Sequence, residues 1–160
     1  METTVLNKDW LIASEVELIY KSIVKASQRP QITSSYSAYQ IALKAWDGNK
    51  IELLEQFKVL MLSNNNKVLG VLEVSSGGIT GTIVDLRIIF SALLKAHAVG
   101  FLIIHNHPSG NLAPSDADRQ ITRKIKETSK ILDINLLDHL IITAESYYSL
   151  KIIYFIYQCI

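Results

Sequence analysis

Val99-Gly-Phe-Leu-Ile-Ile-His-Asn-His-Pro-Ser-Gly-Asn-Leu-Ala-Pro-Ser-Asp-Ala-Asp118 carries both the architecture and the chemistry of this chain. Its opening run, Val99 to Ile104, has no polar alternation, which predicts a strand covered on both faces. Pro108 ends strand hydrogen bonding and turns the chain. Ser109-Gly110-Asn111 makes a tight turn, and Pro114-Ser115 opens a helix expected to run to about Leu132. Ile121, Ile125 and Leu132 are its expected buried stripe. A further apolar run, Ile134 to Thr143, follows as the next strand. Buried strand, helix, strand is the pattern of a parallel crossover.

Upstream, Glu55 to Leu62 and Lys67 to Val74 read as two strands joined by the hairpin Ser63-Asn-Asn-Asn66. Ser75-Ser-Gly-Gly78 loosens the chain before a short strand near Ile79 to Thr82. Asp85 caps a helix that turns Leu86, Ile89, Phe90, Leu93 and Leu94 inward. Earlier, Ser34 or Ser35 caps a helix reaching about Trp46, with Tyr39, Leu43 and Trp46 on one stripe, and Asp47-Gly48-Asn49 stops it. Glu15 to Lys21 alternates as a half-buried strand does. Tyr147-Tyr-Ser-Leu150 is the last strand before the apolar tail. The whole order predicts an α/β fold with a mixed sheet and helices on both sides. Residues 1–50 form a strand-helix extension packed on the domain, 51–150 the domain itself, and 151–160 a tail.

At 160 residues and 49% hydrophobic, the chain can bury a core without disulfides. Its single cysteine, Cys159, excludes an internal disulfide and any site needing two thiolates from this chain. That fits a reducing cytoplasm. Met1 to Trp10 has no apolar core, so it does not read as a signal peptide. Ile152 to Ile160 is too short for a spanning helix, which needs about 20 residues. A net charge of +1 gives no global pull toward nucleic acid or anionic membranes.

In an extended segment His105 and His107 point to the same side, because strand side chains repeat every two residues. The next helix returns Asp118 toward them in its first turn. Two imidazoles and a carboxylate suit zinc, with iron, manganese or cobalt as alternatives, and leave a fourth position for water. Asn106 faces the other way and is expected to tie down the loop. A blander reading competes: Ser115-Asp-Ala-Asp118 fits the S-x-x-[DE] capping signature, in which Asp118 serves only the helix amino terminus. The adjacent His-Asn-His letters do not make an HNH nuclease, whose named residues are spread along a ββα unit.

The stretch from His105 to Asp118 resembles the JAMM metallohydrolase signature: His-x-His, seven residues, Ser, two residues, Asp. Its Asn-His-Pro-Ser-Gly wording is similar to the RadC-like branch of the JAB/MPN group. The likeness extends from about Ile51 to Leu150, through Glu55-Gln-Phe-Lys-Val-Leu, Leu137-Asp-His-Leu-Ile-Ile and Tyr147-Tyr-Ser. It implies a cytidine-deaminase-like three-layer α/β/α sandwich, a zinc ion on His105, His107 and Asp118, and a glutamate as general acid/base. Glu55 matches the family's Glu-x-Phe pattern, with Glu52 in reserve. Ser115 matches the serine that helps stabilise the oxyanion, and Arg87 a family arginine of unassigned role. The implied reaction is metal-assisted hydrolysis of a peptide or isopeptide bond. His139 and Asp138 lie outside the ligand motif and are expected to be structural or to support the ligands from behind, and His97 to cap its helix.

Arg119, Arg123, Lys126 and Lys130 form one basic face on the helix carrying Asp118, able to meet phosphates or an acidic protein, or simply solvated. The RadC-like resemblance also implies a DNA repair or recombination role as the alternative function, for which this chain offers little electrostatic footprint, and a non-catalytic interaction module is the third. The absence of a Pro-Cys-x-x-Cys ligand pair argues strongly against a zinc nucleobase deaminase.

Overall fold

A computed structural model describes residues 22–77 and 83–152. The strands expected at Glu15–Lys21 and near Ile79–Thr82, and the tail beyond Ile152, lie outside these residues. Five strands form one sheet: β1 (Gln56–Leu62), β2 (Val68–Ser76), β3 (Gly100–Asn106), β4 (Asn135–Ile142) and β5 (Tyr147–Ser149). Their order is β2-β1-β3-β4-β5. Only β3 and β4 run parallel, and the other neighbours are antiparallel, so the sheet is mixed as expected.

Three helices cover the sheet: α1 (Ser35–Lys44), α2 (Leu86–Lys95) and α3 (Asp116–Ile131). Strand alternation sorts the core into two clusters. Leu60, Leu62, Leu102, Ile104, Leu140 and Ile142 meet Ala38, Tyr39, Ala42 and Trp46 of the α1 region. Phe57, Val59, Phe101, Ile103 and Leu136 meet Ile89, Phe90 and Leu93 of α2 and Ile125 of α3. The result is a three-layer α/β/α sandwich with β3 buried along its whole length. Lys58 fastens α1 to the sheet: its ammonium donates to the Ala45 carbonyl at 2.9 Å, lies 3.3 Å from Glu73 and sits over the Trp46 ring.

Local chemistry fixes the element ends. Ser34, Asp85 and Ser115 each accept a backbone N–H at the start of α1, α2 and α3. In the β1–β2 hairpin, Asn66 takes φ +53° and its N–H donates to the Ser63 carbonyl, a three-residue loop closed by a left-handed residue. β2 runs two residues past its expected end, because a register shift between Phe57 and Lys58 lets Ser75 and Ser76 keep pairing. Two helix stripes differ from expectation. Leu94 is 54% exposed, at the margin of the α2 face, and Leu132 falls on the C-cap of α3, past its buried stripe. Ser129 is buried in α3 instead, with its hydroxyl donated back to the Lys126 carbonyl.

His97 ends α2 at φ +53°, with its N–H on the Leu94 carbonyl and that of Ala98 on the Leu93 carbonyl. A side chain there costs about 1–2 kcal/mol that glycine avoids, less the extra chain entropy glycine loses. His97→Gly should therefore stabilise the exposed helix end by about 0.5–1 kcal/mol. Thermal denaturation checks this, and a lower midpoint would contradict it.

Candidate metal centre

The site lies where β3 ends. His107 N–H still pairs with the Ile142 carbonyl, which holds the second histidine in strand register before Pro108 turns the chain away. Asn106 points to the opposite face, as expected, and knits the segment before β1 in place. Its amide donates to the Ile51 and Leu54 carbonyls, and its carbonyl accepts from Gln56 N–H. The stretch bearing Glu55 is thereby positioned beside the histidines.

Ligand atoms of His105, His107 and Asp118 all lie within 4.8 Å of one another. His105 Nε2 is 2.9 Å from His107 Nε2 and 3.1 Å from Asp118 Oδ1, and His107 Nε2 is 3.6 Å from Asp118 Oδ2. These separations bracket the about 3.3 Å expected between tetrahedral ligands of an ion with bonds of about 2.0–2.1 Å. His105 is buried, whereas His107 and Asp118 reach solvent at 16% and 13% side-chain exposure, so the centre opens on one side.

The surrounding hydrogen bonds set the tautomers of the two imidazoles. His107 Nδ1–H donates to the Asn111 carbonyl at 2.6 Å, which leaves Nε2 with a lone pair. His105 Nδ1 contacts His139 Nε2 at 2.8 Å, and His139 Nδ1 contacts Thr122 Oγ1 at 2.6 Å. With both rings neutral and His105 donating through Nδ1, three acceptors face one another, whereas a proton on either Nε2 makes that ring a donor to Asp118. Facing lone pairs repel, and a divalent cation resolves the conflict; the donor set and the spacing both fit one.

Asp118 serves two purposes at once. Its Oδ2 accepts from Ser115 N–H and Ser115 Oγ, both at 2.7 Å, completing the capping box of α3, while Oδ1 faces His105. The capping reading and the ligand reading are thus compatible. Burial alone would raise the Asp118 pKa, but hydrogen bonds from His105, His107 and Ser115 hold it well below the ordinary carboxylate range. His107 is raised, chiefly by its bond to Asp118. His139 is held well below the usual imidazole value, first by burial and then by the neighbouring His105.

Glu55 immediately precedes β1 and is partly buried. Its pKa is raised by desolvation, with His105 and His107 pulling it down and Asp118 pushing it up, so its carboxylate shares the field of the cluster. Glu52 is exposed in the preceding turn. Ser115 is exposed at the rim, with its hydroxyl donated to Asp118. Arg87 lies on α2, 90% exposed and paired at 2.7 Å with Asp85. Arg119, Arg123, Lys126 and Lys130 are exposed along α3, and among the described residues none has an ion-pair partner within 4.0 Å.

Thr122 is the participant that sequence reasoning missed. It lies one turn after Asp118 on the same helix face and is buried, a polar residue in line with Ile125. Phe57, marked only as part of the Glu-x-Phe pattern, stacks its ring on His105 with centroids 6.1 Å apart.

Residues 32–153 match the family described as "RadC-like JAB domain". Three similar curated proteins are each named a UPF0758 protein. The one from Flavobacterium johnsoniae is 56% identical over 95 residues, covering 59% of this chain and 42% of the relative. That from Clostridium novyi is 43% identical over 97 residues (61% and 42%), and that from Alkaliphilus metalliredigens 33% over 136 residues (80% and 58%). The chain spans about half the length of the curated relatives it matches. No helix among the described residues is long and apolar enough to cross a membrane.

Proposed function

The chain belongs to the RadC-like JAB domain family, and from that premise we propose that it is a zinc-dependent hydrolase of the JAMM type, cleaving a peptide or isopeptide bond. The single observation that supports this most is the convergence of His105, His107 and Asp118, whose ligand atoms all lie within 4.8 Å of one another. A cation bound there supplies Lewis acidity, which brings the pKa of water from about 15.7 toward about 7.

The chain's own residues do the rest. His105, His107 and Asp118 hold the ion and leave a side open to solvent and substrate. Glu55, with its pKa raised by burial, takes a proton from the attacking water and delivers it to the leaving amine. Ser115 orients Asp118 in the resting state, and its hydroxyl turns toward the developing oxyanion in the reaction.

Zinc-loaded protein should cleave an isopeptide- or peptide-linked reporter, lose that activity on chelation and regain it on adding zinc. Failure of the zinc form across both linkages, with the ion demonstrably bound, would count against the amide assignment. Uptake of the ion should also release protons and weaken as pH falls, because the ligand nitrogens must be free of protons. The raised His107 pKa sets the sign: its proton persists to higher pH than in a free imidazole and competes with the ion there. A pH-indicator titration reads this directly, and uptake independent of pH would contradict it.

A second reading, nucleic-acid binding, draws on the exposed basic face of α3. It predicts salt-sensitive DNA binding that Arg123→Glu weakens. Binding unaffected by both salt and the substitution would remove it.

A further inference from the structure

Behind the candidate metal ligands runs a chain of hydrogen bonds. It starts on one ligand, His105, passes through His139 Nε2 at 2.8 Å and Thr122 Oγ1 at 2.6 Å, and ends on the backbone carbonyl of another ligand, Asp118, at 2.5 Å. His139 is 0% exposed and Thr122 7%, so no solvent enters the chain.

Proton positions in this chain of hydrogen bonds follow from its far end. A carbonyl oxygen only accepts, so the Thr122 hydroxyl hydrogen must lie toward Asp118 O; otherwise two acceptors would meet at 2.5 Å. Thr122 Oγ1 then accepts from His139 Nδ1–H. A neutral His139 carrying its proton on Nδ1 has a bare Nε2, which accepts from His105 Nδ1–H. His105 is left with its lone pair on Nε2, the atom that faces His107 and Asp118.

We infer that Thr122 and His139 are positioning residues that lock His105 in the Nδ1–H tautomer and so set the metal affinity of the site. This rests on the metal reading above and deepens it. If the Thr122 hydroxyl is lost, His139 Nδ1–H loses its acceptor and the ring can carry its proton on Nε2 instead. That proton would face His105 Nδ1 and drive the His105 proton onto Nε2, where it blocks the ligand lone pair. Outer partners of this kind typically change metal affinity by about 10–100-fold.

The test uses Co2+ as the probe, followed by its visible absorption, on the whole chain. Thr122→Val keeps the shape and removes the hydroxyl; Thr122→Ser keeps the hydroxyl. The inference predicts about 10-fold weaker Co2+ binding for Thr122→Val and near wild-type binding for Thr122→Ser. Nitrogen NMR of the metal-free wild-type protein at alkaline pH should find protons on Nδ1 of both His105 and His139, and mixed tautomers in Thr122→Val. Unchanged Co2+ affinity in folded Thr122→Val would overturn the inference while leaving the metal reading intact. So would a wild-type proton found on His139 Nε2, a measurement that needs no variant. Wild-type protein that takes up no Co2+ would overturn both.

Discussion

Glu55→Gln is expected to keep the fold and the bound ion but to lower the rate of amide hydrolysis by about 10²–10⁴-fold, the usual contribution of a positioned acid/base. Glutamine has the same shape but cannot take up the proton that the attacking water must lose. Glu55 is the carboxylate that shares the field of His105, His107 and Asp118, whereas Glu52 is exposed in the turn before it. Glu52→Gln should therefore be nearly silent. Burial raises the Glu55 pKa, so the basic form is present above a higher pH than for a free carboxylate, and activity is lost as pH falls through that raised value. Kinetics of the zinc-loaded variants on a substrate that the wild type cleaves would decide it. A fully active Glu55→Gln would show that the proton is carried by another group.

Asp138→Ala should cost about 3 kcal/mol of stability and lower the melting point by about 10 °C. The Asp138 carboxylate is 1% exposed and gathers Ser35 Oγ at 2.7 Å, Ser149 Oγ at 2.6 Å and the Lys151 N–H at 3.0 Å. It also accepts from the N–H of His139. One side chain on β4 thus ties together α1, β5 and the chain beyond β5. Truncation strands several donors at about 1–3 kcal/mol each, offset in part by relaxation. Asp138→Asn keeps an acceptor oxygen and should cost less. A melting point for Asp138→Ala within about 2 °C of wild type would show that water replaces the carboxylate freely.

The elements whose signals are local were legible in the sequence. The unbroken apolar run before His105 gave the buried central strand, and Ser34, Asp85 and Ser115 gave the helix starts. His-x-His and the capping-box Asp118 specified the cluster, because strand alternation and the first turn of a helix leave few places for those side chains. Behind them, a supporting role was legible for His139 and Asp138, but their partners were not. His105 meets His139 across 34 residues and Ser35 meets Asp138 across 103, contacts created by the parallel β3–β4 register and by docking of α1. Thr122 looks like an ordinary helix threonine until β4 places an imidazole against it. Leu94 and Leu132 failed for a related reason: periodicity names a face, but the neighbouring layer sets how wide that face is.

Metal analysis of the purified chain is the most direct measurement of the central claim. About one divalent ion per chain is expected in the wild type after dialysis against zinc, and none in a folded His105→Ala/Asp118→Ala variant. A folded wild-type protein that retains no ion, or a double variant that retains the full complement, would contradict it.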